Sequence, residues 1–136
     1  MTKEFNNLEE IQKYYDKKTN TYIFKENGEY IEFVIFHFDL DIDANIDAFT
    51  IIGRDIKALN IEASDIDACD IKVKDLYADN IEADNIKATN IVYLAVCFAY
   101  NTIKCKSITG RYHNAKHFVL DGKLEIEDLN EKLEVK

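Results

Sequence analysis

Four side chains in the last third of the chain could together bind a metal ion: Cys97, Cys105, His113 and His117. Two thiolates and two imidazoles make up the Cys₂His₂ set that zinc binds tetrahedrally. The spacing argues against zinc, because the cysteines lie further apart than the two to four residues usual in such motifs. The repeat described below also puts Cys97 on an outward position and Cys105 near a corner, so their sulfur atoms need not converge. We therefore predict no metal site and interpret these residues as part of a C-terminal cap.

Carboxylates are the other reactive groups that the chain carries in number. The sequence has 26 Asp or Glu and 17 Lys or Arg, a net charge of −9. Most of the acidic residues fall on corner or outward positions of the repeat, where Asp has a structural role. No glycine-rich phosphate loop and no nucleophile motif occurs among the four glycines. The sequence therefore predicts a protein without enzymatic activity and without a cofactor.

A five-residue repeat dominates residues 46–91. Large apolar residues recur at every fifth position: Ile46, Ile51, Ile56, Ile61, Ile66, Ile71, Leu76, Ile81, Ile86 and Ile91. A small residue follows two places later in most units: Ala48, Gly53, Ala58, Ala63, Ala68, Ala78, Ala83 and Ala88. Asp or Asn precedes nearly every large residue. Steps of five would turn an apolar stripe by about 140° around an α-helix, so this period excludes a helix.

Extended chain explains the repeat. Positions i and i+2 of a strand face the same way, so the large and the small residue of each unit point inward and the residue between them points outward. Asp and Asn suit the corner between units, because they bond to neighbouring backbone groups and tolerate left-handed conformations. Each unit then forms one side of a coil, and stacked coils form a mainly β structure, a β-solenoid.

Residues 42–108 resemble the pentapeptide-repeat proteins. The units Ala63-Ser64-Asp65-Ile66-Asp67 and Ala83-Asp84-Asn85-Ile86-Lys87 share the family's period, its acidic or amide residue and the large residue after it. The small inward residue follows the large one here, whereas in that family it precedes it. The resemblance implies a right-handed, four-sided β-helix. The stretch from Tyr93 to Ile126 also resembles the ends of small repeat proteins of Firmicutes and their phages.

The sequence divides into an N-terminal cap (1–40), the solenoid (41–110) and a C-terminal hairpin and tail (111–136). Residues 6–15 predict an N-capped helix with Leu8, Ile11 and Tyr15 on one face. Strands are predicted at 22–24 and 30–38 around the hairpin signal Asn27-Gly28. Residues 118–126 predict another hairpin, and the charged tail is expected to fray.

Aromatic residues at both ends of the repeat predict self-association. The small column becomes large near residue 93, with Tyr93 and Phe98, as in an end cap that widens. The strand 30–38 is apolar on both faces, so we expect it to be buried twice or to lie at a dimer contact. The residues assigned to the cap or to a homodimer contact are Phe36, Phe38, Tyr93, Phe98 and Tyr100.

The composition points to the cytoplasm. No segment approaches the ~20 apolar residues of a membrane span, and the chain does not begin with a signal peptide. The three cysteines do not show the spacing of a set of structural disulfide bonds. They therefore fit a reducing compartment better than a fold held together by disulfides.

Surface charge supplies the functional prediction. Residues 41–92 hold twelve Asp or Glu and five Lys or Arg, so they carry most of the negative charge. With four sides per coil, residues twenty apart stack, which puts Glu62 beside Glu82, and the predicted contact side is Glu62, Asp65, Glu82 and Asp84. Carboxylates in ladders on a rod could imitate the phosphates of duplex DNA. The excess of acidic residues has a second explanation, which is that these residues keep the solenoid soluble.

The expected partner is a protein with a basic nucleic-acid-binding groove, and nucleic acid itself and membranes are not expected to bind. The family resembled here includes proteins that bind DNA gyrase in this manner, so the resemblance implies a topoisomerase as one candidate. An inhibitor of a defence nuclease, such as an anti-CRISPR protein of a phage, is the other. The alternative function is a scaffold that self-associates through the solenoid end or the hairpin.

Overall fold

Parallel strands stacked along one axis form a β-solenoid of about five turns in the computed structural model, which describes residues 1–127. The mainly β fold predicted from the repeat is confirmed. Inward residues pair in register with the residue fifteen positions later, as Ile46 does with Ile61 and Ile61 with Leu76. Because each unit has five residues, a turn has three sides. The predicted four sides are wrong, and the right-handed coil stays a prediction.

The strands are short, apart from two that run around corners. In chain order they are β1 (Thr2–Phe5), β2 (Tyr15–Asp16), β3 (Thr21–Ile23), β4 (Lys25–Glu26), β5 (Glu29–Tyr30), β6 (Phe33–Phe36), β7 (Leu40–Asp41), β8 (Asn45–Asp47), β9 (Thr50–Ile52), β10 (Ile56–Lys57), β11 (Asn60–Glu62), β12 (Asp65–Asp67), β13 (Asp70–Lys72), β14 (Asp75–Lys87), β15 (Asn90–Cys105), β16 (Ser107–Gly110), β17 (Lys116–Val119) and β18 (Lys123–Ile126).

Strand pairing defines three sides. Side A contains β3, β8, β11, the starts of β14 and β15, and β16. Side B contains β1, β6, β9, β12, the middles of β14 and β15, and β17. Side C contains β7, β10, β13, the ends of β14 and β15, and β18. Strands β1, β3, β6 and β7 come from the predicted N-terminal cap, so that segment continues the stack.

The core consists of the two inward columns of the repeat. All ten large residues from Ile46 to Ile91 are buried, and so are seven of the small ones, whereas the residues between them are mostly exposed. Phe5, Phe24 and Phe36 pack together at the N-terminal end, with ring centroids about 6 Å apart. The in-out-in pattern predicted from extended chain is confirmed.

Side-chain ladders join the corner residues of successive coils. Each asparagine Nδ2 donates to the Oδ1 of the residue fifteen positions earlier at 2.8–2.9 Å: Asn60 to Asn45, Asn80 to Asp65, Asn85 to Asp70, and Asn90 to Asp75. In three of these four bonds the acceptor is a carboxylate, so an amide and not a second negative charge stacks on it. Stacking of residues twenty apart would have put Asn85 beside Asp65, but Asn80 occupies that place.

The N-terminal helix is a 3-10 helix, Leu8–Tyr14, capped by the Asn7 side chain, which accepts from the Glu10 backbone N–H. A 3-10 helix has three residues per turn, so its buried face carries Ile11 and Tyr14. This period moves Tyr15 off the face. Leu8 shares the period but is exposed at the first residue of the helix, so the predicted face is wrong at both residues.

The first hairpin forms as predicted, with β4 and β5 antiparallel and both turn residues at positive φ, Asn27 at 55° and Gly28 at 81°. Strand β6 buries Val34 and Phe36 in the core. Phe33 on its other face is exposed, so the strand is not buried twice within one chain.

The small column becomes large at Tyr93, as predicted, because Tyr93 is buried and pairs in register with Ala78. It does not do so at Phe98, which pairs with Glu82 on the outward column. Cys97 pairs with Ile81 and Ala99 with Ala83, so both continue the inward columns. Register shifts after Ala78 and Ala83 show that β15 has gained a residue at each of two corners. The prediction of an outward Cys97 was wrong because these insertions move the repeat out of its five-residue frame.

The predicted C-terminal hairpin is also wrong. Strands β17 and β18 both pair in parallel with β15, on sides B and C respectively, and so begin a further coil. Gly110 precedes this coil, at a point where an added Cβ would lie 2.6 Å from the Cβ of Ala115. The fraying predicted for the tail concerns mostly residues 128–136, which lie outside the described residues.

Candidate functional site

The four predicted contact residues lie on two sides of the solenoid. Glu62 is outward on side A, where it pairs in register with Asp47 and Tyr77. Asp65 and Glu82 are on side B, and Asp84 lies at the corner between sides B and C. The predicted stacking of Glu62 on Glu82 is wrong, because a three-sided coil stacks residues fifteen apart.

Five carboxylates gather on side B and its two corners, a set that we call the acidic side: Asp65, Asp67, Asp79, Glu82 and Asp84. Asp67 and Glu82 pair in register, with both side chains exposed. Asp79 lies at the corner between sides A and B, where burial and the charge of Asp65 raise the pKa of its carboxyl. Asp67 and Asp79 were not predicted as contact residues, because their position next to the other carboxylates depends on the number of sides in each coil.

Apolar residues continue the outward column of side B beyond these carboxylates. Phe98 pairs in register with Glu82, and Phe118 pairs with Phe98. The Phe98 ring lies 4.8 Å from the Phe118 ring and 4.7 Å from the Tyr100 ring, measured between centroids. A groove of about 290 Å³ on this side is lined by both carboxylates of the outward column and by Phe98 and Phe118. Side B therefore combines negative charge with exposed aromatic surface.

Side A has a larger groove, of about 740 Å³, whose lining includes Asp47, Glu62 and Tyr77. The Tyr30 hydroxyl donates to Asp47 Oδ1 at 2.7 Å. This hydrogen bond, together with burial and the charges of Asp47 and Glu62, raises the pKa of Tyr30 to about 12. Asp47 therefore has a partner within the chain.

Side C carries the opposite charge in the middle of its outward column, between Asp41 and Glu125. Lys57, Lys72, Lys87 and Lys104 follow one another in register on four successive coils, and all four are exposed. Asp55 and Asp70 occupy the corner positions next to the first two. The acidic side therefore adjoins a lysine column.

The candidate zinc residues do not form one set. Cys97 and Cys105 are buried, His113 is exposed, and the half-buried His117 bonds through Nδ1 to the Tyr93 hydroxyl at 2.7 Å. Burial raises the pKa of the Cys97 thiol and lowers that of His117. Within residues 1–127, no group of three or more His, Cys, Asp or Glu side chains is arranged to hold a metal ion.

The predicted dimer residues divide into buried and exposed ones. Phe36 and Tyr93 are core residues and Phe38 packs against the core. Phe98 is half-buried and Tyr100 is exposed, and both belong to the aromatic cluster on side B. The buried residues of the set fit the cap role, and a dimer contact stays a prediction.

No helix within residues 1–127 is both long enough and apolar enough to cross a membrane. Comparison with protein-family models, with curated proteins and with solved structures found no match to this chain.

Proposed function

We propose that this protein acts by binding a basic protein through its acidic side and has no enzymatic turnover. The observation that carries the proposal is the set of five carboxylates on two successive coils. Within residues 1–127, no nitrogen of a Lys, Arg or His side chain lies within 4.0 Å of any of them in an ion pair. Their charge is therefore available to a partner.

Charge of this kind accelerates and orients association. Opposite electrostatic potentials on two proteins raise the rate at which they meet and fix their relative orientation. Salt weakens this attraction, because it screens charges over about 8 Å at physiological ionic strength. Because the adjoining side C carries the lysine column, a basic partner is attracted to side B and repelled from side C. The partner is thus expected to approach the solenoid from one direction.

A basic nucleic-acid-binding groove is the partner that this surface fits best. Successive coils of a parallel sheet repeat at about 4.8 Å, and duplex DNA repeats its phosphates at about 3.4 Å along each strand. The acidic side is then a short DNA mimic of about two coils. The resemblance to pentapeptide-repeat proteins favours a topoisomerase such as DNA gyrase, and a defence nuclease is the second candidate.

A scaffold function is favoured by a different observation, the aromatic cluster of Phe98, Tyr100 and Phe118. Exposed aromatic rings in contact with one another are typical of protein–protein interfaces. In a scaffold this cluster would contact a second copy of the chain. The two functions differ in the residues that they need, because mimicry depends on the carboxylates and scaffolding on the rings.

A charge-reversal variant tests the proposal. In Asp67→Lys/Glu82→Lys/Asp84→Lys, none of the changed side chains has an internal hydrogen bond or ion pair within the described structure, so the fold should survive. The control Glu29→Lys/Asp41→Lys/Asp43→Lys makes the same charge change at exposed positions away from side B and its two corners. Both variants are checked by circular dichroism before use.

The readout is displacement of DNA from purified DNA gyrase and from a Cas nuclease, at low and at high salt. We expect the wild type and the control to displace DNA from one of them at low salt and less at high salt, and the side B variant not to do so. Equal inhibition by the side B variant, or inhibition that ignores salt, would refute binding through the acidic side.

A further inference from the structure

Two aromatic rings, one exposed and one half-buried, lie directly beyond a glutamate in the strand register. Tyr77 pairs with Glu62 on side A, and Phe98 pairs with Glu82 on side B. The backbones of paired residues on neighbouring strands are about 4.8 Å apart, so the glutamate and the aromatic side chain of each pair are neighbours on the outer face. Each pair also lines a groove. We call Glu62–Tyr77 and Glu82–Phe98 the carboxylate–ring pairs.

The chain fills two similar arrangements with its own cations. Lys13 Nζ lies 5.1 Å from the Tyr14 ring centroid and 3.7 Å from Glu26 Oε2, and the Tyr14 hydroxyl bonds to the same carboxylate at 2.5 Å. Rings and carboxylates of this protein thus hold a cation together.

Tyr30 repeats part of the arrangement near side A, with a lysine over its ring but no ion pair between that lysine and Asp47 in the described residues. Lys25 Nζ lies 4.4 Å from the Tyr30 ring centroid, and the Tyr30 hydroxyl bonds to Asp47. In residues 1–127, the ion pairs and cation–ring contacts include none at Glu62, Tyr77, Glu82 or Phe98. These two pairs therefore each combine a glutamate with an aromatic ring and have no cation from the described chain.

Guanidinium fits such a pair better than ammonium does. Its planar face stacks on an aromatic ring while its N–H edge donates two parallel bonds to a carboxylate. Ammonium is a compact and strongly hydrated charge, so it gains less from the ring once it has paired with the carboxylate. A ring next to a carboxylate therefore selects arginine over lysine.

We propose that the two carboxylate–ring pairs bind arginine side chains of the basic partner, so that the partner is recognised by arginine and not by positive charge alone. This inference rests on the proposed function. The pairs lie on opposite sides of the corner that carries Asp79, so one arginine-bearing segment straddling that corner reaches both. Arginine-dependent contact also explains why aromatic residues adjoin the carboxylates on both sides.

The test measures binding of octa-arginine and octa-lysine peptides, which have equal charge, by isothermal titration calorimetry. We expect the wild type to bind octa-arginine about tenfold more tightly, as two cation–π contacts in exposed sites would give. In Tyr77→Leu/Phe98→Leu the preference should fall below about threefold, while binding of octa-lysine and its salt dependence stay unchanged. The control Phe49→Leu/Tyr112→Leu removes two exposed rings that have no glutamate paired with them and should keep the preference.

Each other outcome has a defined meaning. Equal affinity for both peptides in the wild type would overturn the arginine sites and leave the proposed function standing. A preference that persists in Tyr77→Leu/Phe98→Leu would also overturn them, because the rings would not be its source. If neither peptide binds, the acidic surface does not bind cationic segments, and both proposals fail.

Discussion

Replacing Ile66 by alanine should remove a large part of the stability of the solenoid. Ile66 is 2% exposed and is stacked in register between Ile51 and Ile81. The substitution removes three carbon atoms from the core, worth about 2.4 kcal/mol at ~0.8 kcal/mol for each. Strands hydrogen-bonded on both sides hold the coil spacing, so the cavity cannot close fully and adds to the loss. We expect the free energy of unfolding to fall by about 3–4 kcal/mol.

Urea unfolding followed by circular dichroism measures this change, with the m-value checked for constancy. The control is Ile52→Ala, on the same side one coil earlier, where the side chain points outward and is only half-buried. It should cost less than about 1 kcal/mol, as expected of a surface change. A loss at Ile66 below about 1 kcal/mol, or one equal to that at Ile52, would show that the inward column is not the core.

Three further measurements address the number of sides, the acidic corner and the oligomer. A double-mutant cycle between Asp65→Ala and Asn80→Ala should give a coupling of about 0.5–1.5 kcal/mol, whereas the same cycle with Asn85→Ala should be additive; the reverse result would indicate four sides. Asp79→Asn should raise the melting temperature at pH 7, because the raised pKa of Asp79 means that its charged form destabilises the folded state. At a pH well below the ordinary carboxyl pKa the group is protonated in both states, so the substitution should have no effect. Equal melting temperatures of wild type and variant at pH 7 would contradict this reasoning. Light scattering at tens of micromolar should give the mass of a dimer, and a monomer mass would refute self-association.

The five-residue period alone was enough to predict the core. The large residues from Ile46 to Ile91 point inward. Residues two apart in extended chain face the same side, so the large and the small residue of each unit must share the core face. The number of sides could not be predicted in the same way. The five-residue period sets the length of each side. The number of sides depends on the angle at each corner, and Asp and Asn allow several backbone conformations there.

This difference explains the outcome for the candidate site. The outward positions of Glu62 and Glu82 followed from alternation and are confirmed. Their neighbours depended on the side count, so Tyr77 and Phe98 were not recognised as their register partners. One-residue insertions in β15 had a similar effect, because a repeat read in steps of five misplaces Cys97 after the first insertion.

The ladders of corner residues give the solenoid axis a chemical direction. In every ladder bond the donor belongs to the later coil and the acceptor to the earlier one, and the hydroxyls of Thr102 and Ser107 donate to Asn85 and Asn90 in the same sense. A completed coil thus offers a row of acceptor oxygens to the coil that follows it. Chains are synthesised from the N-terminus, and domains tend to fold in that order. We therefore expect each new coil to meet a row of acceptors that is already in place, whereas growth in the opposite direction would meet a row of amide and hydroxyl donors.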